Sequence, residues 1–203
     1  MKTMVYNIGQ LATPLGTSAR RGREMGELRV LSNAAVYAED GIIRAVGSQE
    51  EVLREHPLTE MDCCMDAGQK AVIPGFVDSH THFLFGGYRE QEFLDRIAGT
   101  PYLELLRRGG GIQATVSATR EISREEMKRL GKQRMREMLA QGVTTMEGKS
   151  GYGLDEACEL KMLSVMQELK QESCMDLAVT YLGAHAVPLE YIGRSKEYVR
   201  FLT

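Results

Sequence analysis

The pattern of apolar and polar residues changes near residue 70. Before that point, short runs rich in β-branched residues predict strands at 30–36 and 42–46. Asp40-Gly41 joins these runs, and Asp-Gly in such a place is a strong hairpin signal. Residues 48–55 predict one short helix, which ends before Pro57 because the residue preceding proline avoids helical dihedrals. The sequence therefore predicts a small antiparallel β module over residues 1–70.

Residues 71–203 show a different pattern, in which strands alternate with helices. Residues 71–78 form an almost continuous apolar run, typical of a strand that is buried on both faces, and further strands are predicted at 143–146 and 177–182. Ser123-Arg124-Glu125-Glu126 is a capping box that opens a helix ending near Gly142. Alternation of this kind predicts right-handed βαβ units and a parallel sheet.

A second helix is predicted over residues 155–171, with Leu160, Leu163 and Leu169 on one apolar stripe. The methionines at helical spacing in the two helices are interpreted as core residues. They are Met127, Met138, Met162 and Met166.

Three or four strands cannot close a (β/α)₈ barrel, which typically needs about 250 residues. Two interpretations remain open at this point. The second part of the chain is a smaller open α/β sheet, or the chain is part of a larger protein.

Composition excludes several classes of protein. With 25 Lys and Arg against 28 Asp and Glu, the net charge is −3, which gives no electrostatic attraction to nucleic acid or to an anionic membrane. No apolar run approaches the roughly 18–20 residues that span a bilayer. The four cysteines lack a C-x-x-C spacing and are interpreted as reduced packing residues. We therefore expect a cytosolic enzyme or binding domain.

His80-Thr81-His82 is the sharpest chemical signal in the chain. Side chains at i and i+2 of a strand share one face, so both imidazoles can point towards one metal ion. The pair follows a predicted parallel strand, at the end where such sheets place their sites. Imidazole suits both zinc and iron. Two polar residues that merely cap a strand end are the alternative.

The other two histidines have different settings. His56, beside Pro57, is interpreted as a surface residue. His185 follows the predicted strand 177–182, where it is a candidate metal ligand or substrate-binding group. A catalytic zinc site usually needs three protein ligands, so two histidines are not sufficient.

Two further motifs are assigned less specific roles. Gly148-Lys149-Ser150 has the wrong spacing for a phosphate-binding P-loop, and we interpret it as a glycine-rich loop that brings Lys149 and Tyr152 close to a ligand. Arg107-Arg108-Gly109-Gly110-Gly111 is interpreted as an active-site or connecting loop, not as a nucleic-acid contact.

Together these motifs resemble the imidazolonepropionase family of the amidohydrolase superfamily. The segments that carry the resemblance extend over essentially the whole chain. They are 72–82, Phe83-Leu84-Phe85-Gly86-Gly87-Tyr88-Arg89, Gly109-Gly110-Gly111-Ile112, 147–154 and Gly183-Ala184-His185-Ala186-Val187-Pro188.

The resemblance implies hydrolysis of 4-imidazolone-5-propanoate to N-formimidoyl-L-glutamate by a metal-activated water. His80 and His82 would hold one zinc or iron ion, while Arg89, Tyr152 and His185 fall on the family's substrate-binding positions. His185 would also stabilise charge on the ring carbonyl, and Tyr102 is a weaker candidate for binding the substrate carboxylate. A guanidinium fork suits a propanoate tail.

The resemblance also implies a (β/α)₈ TIM barrel preceded by a small β-sandwich-like module that C-terminal sequence completes. Only the first three or four βα units would lie in residues 71–203. Further metal ligands and an acidic proton shuttle would lie beyond Thr203. We therefore expect this chain to be an inactive N-terminal half that binds metal weakly, and a homodimer by resemblance.

Two alternatives stay open. One is a different cyclic amidohydrolase or a deaminase of the same superfamily. The other is a non-catalytic α/β module that binds a ligand or a partner.

Overall fold

A computed structural model describes residues 1–203. The chain separates into two compact units, Met1–Pro74 and Gly75–Thr203, each with its own sheet. None of the helices is both long enough and apolar enough to cross a lipid bilayer.

The first unit contains one five-stranded sheet. Its strands are β1 (Lys2–Pro14), β2 (Leu28–Glu39), β3 (Ile42–Ser48), β4 (Cys63–Asp66) and β5 (Ala71–Val72). The order is β3-β2-β1-β4, with β5 also paired to β1. The predicted β2–β3 hairpin is confirmed, and Asp40 and Gly41 both have positive φ, at 51° and 79°. The prediction of a purely antiparallel module is wrong, because β4 and β5 run parallel to β1.

The helix of the first unit, α1 (Gln49–Glu55), begins where its sequence predicts. Ser48 caps it by accepting a hydrogen bond from the Glu51 N–H, and the helix ends before Pro57. Val52 of α1 packs with Met4 and Tyr37 of the sheet. One sheet and one helix therefore form the core of this unit, and a sandwich-like second layer stays a prediction.

The second unit contains a three-stranded parallel sheet in the order β6-β7-β8. The strands are β6 (Phe76–Thr81), β7 (Val143–Lys149) and β8 (Asp176–Thr180). The helices are α2 (Glu90–Ile97), α3 (Tyr102–Arg107), α4 (Ile112–Glu121), α5 (Arg124–Ala140), α6 (Glu156–Glu172) and α7 (Ser195–Leu202). The predicted alternation of strands and helices is confirmed, and the carboxyl ends of the three strands meet at one edge.

The apolar run 71–78 is divided between the two units, contrary to the prediction of one strand buried on both faces. Residues 71–72 form β5 in the first sheet, and β6 begins at Phe76 in the second. Phe76 and Val77 are 52% and 69% exposed. The reason is that β6 is an edge strand, hydrogen-bonded to β7 on one side only.

Helices α5 and α6 pack on this sheet, and both begin where the sequence predicts. Ser123 accepts from the Glu126 N–H, and Asp155 accepts from the Cys158 N–H. The leucine stripe predicted for α6 is confirmed at Leu169, which is 1% exposed, and is wrong at Leu160, which is 57% exposed. The buried stripe, at i, i+4, i+7, i+8 and i+11, consists of Cys158, Met162, Val165, Met166 and Leu169.

The predicted core role of the methionines is confirmed. Met127, Met162 and Met166 are fully buried, and Met138 packs against the same cluster. All four cysteines are free thiols, as expected. Only Cys158 is buried, however, so the packing role predicted for Cys63, Cys64 and Cys174 is wrong.

Candidate metal and substrate site

His80 and His82 lie at the carboxyl end of β6, where the extended backbone places both side chains on one face. Their ring centroids are 5.4 Å apart. Two imidazoles on one tetrahedral zinc, with Zn–N bonds of about 2.0–2.1 Å, would have centroids about 5 Å apart. The spacing of the pair therefore fits a shared metal ion.

The ring nitrogens of His82 support the same conclusion. Both Nδ1 and Nε2 are buried, and neither makes a hydrogen bond of normal geometry, although the Ser150 backbone lies near the ring. Burial, followed by the nearby His185 and His80, lowers the pKa of His82 to about 4. The imidazole is thus neutral near pH 7, which is the form that binds metals. Orphaned buried polar atoms are rare, and a metal ion would supply the missing partner.

The number of ligands is smaller than a complete metal centre needs. No group of three or more His, Cys, Asp or Glu side chains is arranged to hold a metal ion. His185 lies near His82, but its ring centroid is only 4.4 Å away at an interplanar angle of 31°. That arrangement is closer to ring stacking than to two rings that converge on one cation, so the chain offers two ligands.

Tyr152 and His185 join the histidine pair in one aromatic cluster. The Tyr152 ring centroid lies 5.1 Å from that of His82 and 5.5 Å from that of His185. His185 lies in a short 3₁₀ turn after β8, and burial lowers its pKa, with a further contribution from His80. The structure thus brings together four residues that the sequence singled out from three separate segments.

A cavity of about 260 Å³ opens beside this cluster. It is lined by Phe85, Gly87, Tyr88, Arg89, Thr115 and Tyr152. Arg89 and Tyr152 therefore reach one cavity, although they are far apart in the sequence. The nearest carboxylate oxygen to the Arg89 guanidinium belongs to Glu92, at 3.6 Å, which is too long for a hydrogen bond. Arg89 is free to bind another carboxylate.

Three further residues that the sequence analysis named do not line the cavity. Tyr102 is 57% exposed on α3 and does not line the cavity. Lys149 donates to Glu147 Oε1 at 2.5 Å, and this bond lowers the pKa of Glu147. His56 is half-buried, contrary to the surface interpretation, because its ring stacks on Tyr37 at 4.0 Å.

The sequence reasoning missed two buried charged residues, Arg134 and Glu159, which are 8% and 3% exposed. Each contacts backbone groups of a segment that lines the cavity or carries a cluster residue. A signal for them exists, because each occupies an apolar position of its amphipathic helix. Arg134 lies seven positions after the buried Met127, and Glu159 seven positions before the buried Met166, so each shares a helix face with buried residues.

Comparison with known proteins identifies curated relatives that share one name. No protein-family model matches the chain. The imidazolonepropionase of Parabacteroides distasonis is 48% identical over 202 residues, which are 99% of this chain and 48% of the relative. That of Clostridium tetani is 45% identical over 199 residues, 98% of this chain and 47% of the relative. The chain spans about half the length of the curated relatives it matches.

Solved structures show the fold. Guanine deaminase from Bradyrhizobium japonicum has a TM-score of 0.56 at 18% identity, over 98% of this chain and 40% of that protein. A mutant atrazine chlorohydrolase from Arthrobacter aurescens, complexed with zinc and atraton, has a TM-score of 0.50 at 16% identity, over 87% and 35%. The chain is thus similar from end to end to about half the length of these imidazolonepropionases, and it shares a mixed α/β fold with the guanine deaminase.

Proposed function

We propose that the chain carries two metal ligands and the substrate contacts of an imidazolonepropionase. The enzyme would hydrolyse the cyclic amide of 4-imidazolone-5-propanoate to N-formimidoyl-L-glutamate. One observation carries the proposal. Tyr152 contacts His82 and His185 with its ring and shares a cavity with Arg89, so one small molecule can reach both the cluster and the guanidinium.

His80 and His82 would hold one divalent ion, zinc or iron, and the remaining ligands would come from outside the chain. When bound, the ion would supply a water whose pKa is lowered towards neutrality, which makes it a nucleophile. The orphaned nitrogens of His82 and the spacing of the pair support this assignment. The zinc complex of the structurally similar chlorohydrolase is consistent with it.

The substrate would be held at its two ends. Arg89 would bind the propanoate through charge-assisted hydrogen bonds, and the Tyr152 hydroxyl would bind the same carboxylate or the ring. His185, kept neutral by burial, has one ring N–H to donate. Donated to the ring carbonyl oxygen, that N–H would stabilise the negative charge that develops as water attacks the carbonyl carbon.

The remaining features are part of the same proposal. The parallel strands β6, β7 and β8 would be the first units of a (β/α)₈ barrel, and the first unit would belong to a sandwich-like module. The four free thiols favour the cytosol. The substrate is a small molecule, and a homodimer is expected for the whole enzyme.

Turnover tests the proposal directly. We would assay the 203-residue chain and the complete reading frame that carries it for formation of N-formimidoyl-L-glutamate. Activity is expected in the complete protein and not in the chain alone, because two ligands are fewer than a catalytic site needs. Turnover by the purified chain would contradict the need for outside ligands, and inactivity of both proteins towards this substrate would contradict the proposed reaction.

Zinc titration of the chain tests the metal ligands. His80→Ala and His82→Ala should each weaken zinc binding about tenfold or more, as measured by competition with a chromophoric chelator. His56→Ala is the matched control, since His56 lies in the first unit, and it should leave the affinity unchanged. Equal affinities in all four proteins would show that the pair does not bind the metal.

A further inference from the structure

We propose that Glu159 is a positioning residue, which fixes the loop 151–154 so that the Tyr152 ring is presented to the cavity. The hydrogen bonds and close contacts of the loop are the evidence that Glu159 positions Tyr152. The importance of that position for substrate binding rests on the proposed function. Glu159 lies on α6, does not line the cavity beside Arg89 and accepts its side-chain hydrogen bonds from loop 151–154 and not from the histidines of the cluster.

The hydrogen bonds of Glu159 converge on the loop that carries Tyr152. A single carboxylate oxygen, Oε1, accepts from the N–H groups of Gly151, Gly153 and Leu154 at 3.1, 2.9 and 2.9 Å. The side chain is 3% exposed, so water does not compete for these bonds. One buried oxygen therefore satisfies three backbone donors on both sides of Tyr152.

The backbone of this loop cannot satisfy those donors by itself. Gly151 has φ +114° and Leu154 has φ +56°, so the segment is neither strand nor helix. Such curled backbone directs successive N–H groups towards one point and forms a concavity for an anion. Glu159 supplies that anion from the first turns of α6, where the helix dipole also favours negative charge.

The two glycines beside Tyr152 leave the loop little room to move. A Cβ on Gly153 would lie 2.7 Å from the Glu159 backbone nitrogen, at the start of α6. A Cβ on Gly151 would lie 2.7 Å from the His185 Cβ and 2.7 Å from the Leu182 carbonyl oxygen. The loop is thus packed between α6 and the segment that carries His185, and Tyr152 is the loop residue that lines the cavity.

The second carboxylate oxygen shows that packing alone does not explain Glu159. Its Oε2 is buried without a partner, which costs free energy that an apolar side chain of similar size would avoid. The compensating interactions are the three bonds at Oε1. Glu159 therefore acts through the loop that those bonds hold.

Hydrogen exchange of the 203-residue chain, followed by NMR, tests this role without any substrate. In Glu159→Ala, the amides of Gly151, Gly153 and Leu154 should exchange about tenfold faster or more, because each loses a bond to a carboxylate. Glu159→Gln keeps one carbonyl acceptor without the charge and should accelerate them about threefold. Met146 in β7 reports on the sheet and should be unchanged in both variants.

Glu156→Ala is the matched control, since Glu156 lies on the same turn of α6 and is exposed. It should exchange like the wild type. If Glu159→Ala fails to fold, Glu159→Gln decides alone. Acceleration confined to the three loop amides supports the proposal, whereas unchanged exchange, or equal acceleration at Met146, overturns it.

The Tyr152 ring gives a spectroscopic readout that a general loss of stability would not move. In a tyrosine-labelled chain, with the Tyr152 signal assigned from Tyr152→Phe, Glu159→Gln should shift or broaden that signal and leave those of Tyr37 and Tyr102 in place. A Tyr152 signal identical to the wild type would overturn the positioning role.

Kinetics of the complete enzyme separate this inference from the proposed function. Glu159→Gln should raise KM about threefold or more and change kcat less. If exchange and the Tyr152 signal respond while KM does not, the positioning of the loop stands and the substrate role of Tyr152 fails. If neither exchange nor the signal responds, the inference fails while the reaction is unaffected.

Discussion

The two segments that line the cavity are anchored by buried groups of opposite charge. Residues 83–88 are held by the Arg134 guanidinium, whose Nη1 donates to the Phe83 and Phe85 carbonyl oxygens at 2.8 and 2.9 Å. Loop 151–154 is held by the Glu159 carboxylate, which accepts from three N–H groups. One anchor satisfies carbonyls and the other satisfies amides. In both cases a buried charged side chain forms hydrogen bonds with backbone groups that no strand or helix satisfies.

Neither anchor forms an ion pair. The Arg134 guanidinium lies 3.6 Å from the centroid of the Phe85 ring, and its Nη2 has no partner. Glu159 Oε2 is unpaired as well. Multiple hydrogen bonds to one charged group are strong in a low-dielectric interior. They offset the unfavourable free energy of burying the charge.

Tyr152 and Arg89, the residues at the two ends of the cavity, differ in how tightly they are packed. Tyr152 is enclosed by the rings of His82, His185 and Phe85. The Arg89 side chain is 44% exposed and has only a long contact with Glu92. The ring end of the site is therefore preformed, whereas the carboxylate end can adapt to what it binds.

Loss of the cationic anchor should have the largest effect. Arg134→Ala leaves two buried carbonyls without a donor, so it should lower the free energy of unfolding of the second unit by about 3 kcal/mol. Urea denaturation followed by circular dichroism measures this. Arg136→Ala, on the exposed side of the same helix, should stay within about 0.5 kcal/mol of wild type. An Arg134 variant as stable as this control would show that residues 83–88 are held by other contacts.

Removal of the partly exposed Arg89 side chain should weaken substrate binding and leave the stability of the fold unchanged. Arg89→Ala in the complete enzyme should raise KM for the propanoate substrate about 10- to 100-fold, because a charge-assisted hydrogen bond is lost. Arg107→Ala, whose side chain is 79% exposed, is the control. An unchanged KM in Arg89→Ala would favour a substrate that lacks the carboxylate, as a deaminase of the same fold would use.

Burial of His82 beside Tyr152 and His185 should lower the stability of the metal-free chain in acid. The pKa of His82 is lowered to about 4 in the folded chain, against about 6.5 when unfolded, so the unfolded chain binds more protons between these values. The free energy of unfolding should therefore fall as pH decreases from about 7 to about 4. Thermal denaturation with a chelator present measures this.

Two variants sharpen the acid prediction. His82→Asn should reduce the pH dependence of the second unit, because the group that takes up the proton is gone. His56→Asn lies in the first unit and should leave that dependence as in wild type. A wild-type pH dependence in His82→Asn would assign the acid sensitivity to other groups.

The smallest effect is expected at the carboxylate beside Arg89. Glu92→Gln keeps the acceptor for the Gly111 N–H, now at 2.9 Å from Glu92 Oε1, and removes the charge that competes for Arg89. Substrate KM should fall about two- to threefold, as for a partly exposed ion pair. Glu104→Gln, beside Arg107 and Arg108, is the control. A higher KM would mean that Glu92 orients Arg89 instead of competing for it.

Much of the fold was predictable because its signals are local. Ser48, Ser123 and Asp155 mark helix starts through hydrogen bonds that span only a few residues. Asp40-Gly41 marks the hairpin in the same way. The leucine stripe of α6 was wrong at Leu160, which lies on the outer side, because the buried direction of a helix depends on the sheet it packs against.

Part of the site was predictable as well. The i, i+2 spacing of His80 and His82 placed both rings on one face, and His185 was expected at a strand end. The convergence of Tyr152 with these residues depends on how β6, β7 and β8 pair, which is a long-range property. Arg134 and Glu159 were missed because a lone charge in an amphipathic helix does not show which backbone it will contact.

The sequence by itself determined the alternation of strands and helices, the helix caps and the paired imidazoles, since each depends on neighbours within one or two turns. The tertiary structure alone decided which sheet receives each part of the run 71–78. It also decided that Arg89 and Tyr152 share a cavity and that Arg134 and Glu159 anchor its walls. Arg89 lies dozens of positions from Tyr152, as Arg134 does from Phe83 and Phe85, so only tertiary packing brings them within reach of one another. Glu159 lies five to eight positions from the N–H groups it accepts from, and there the non-helical backbone of loop 151–154 decides the contact.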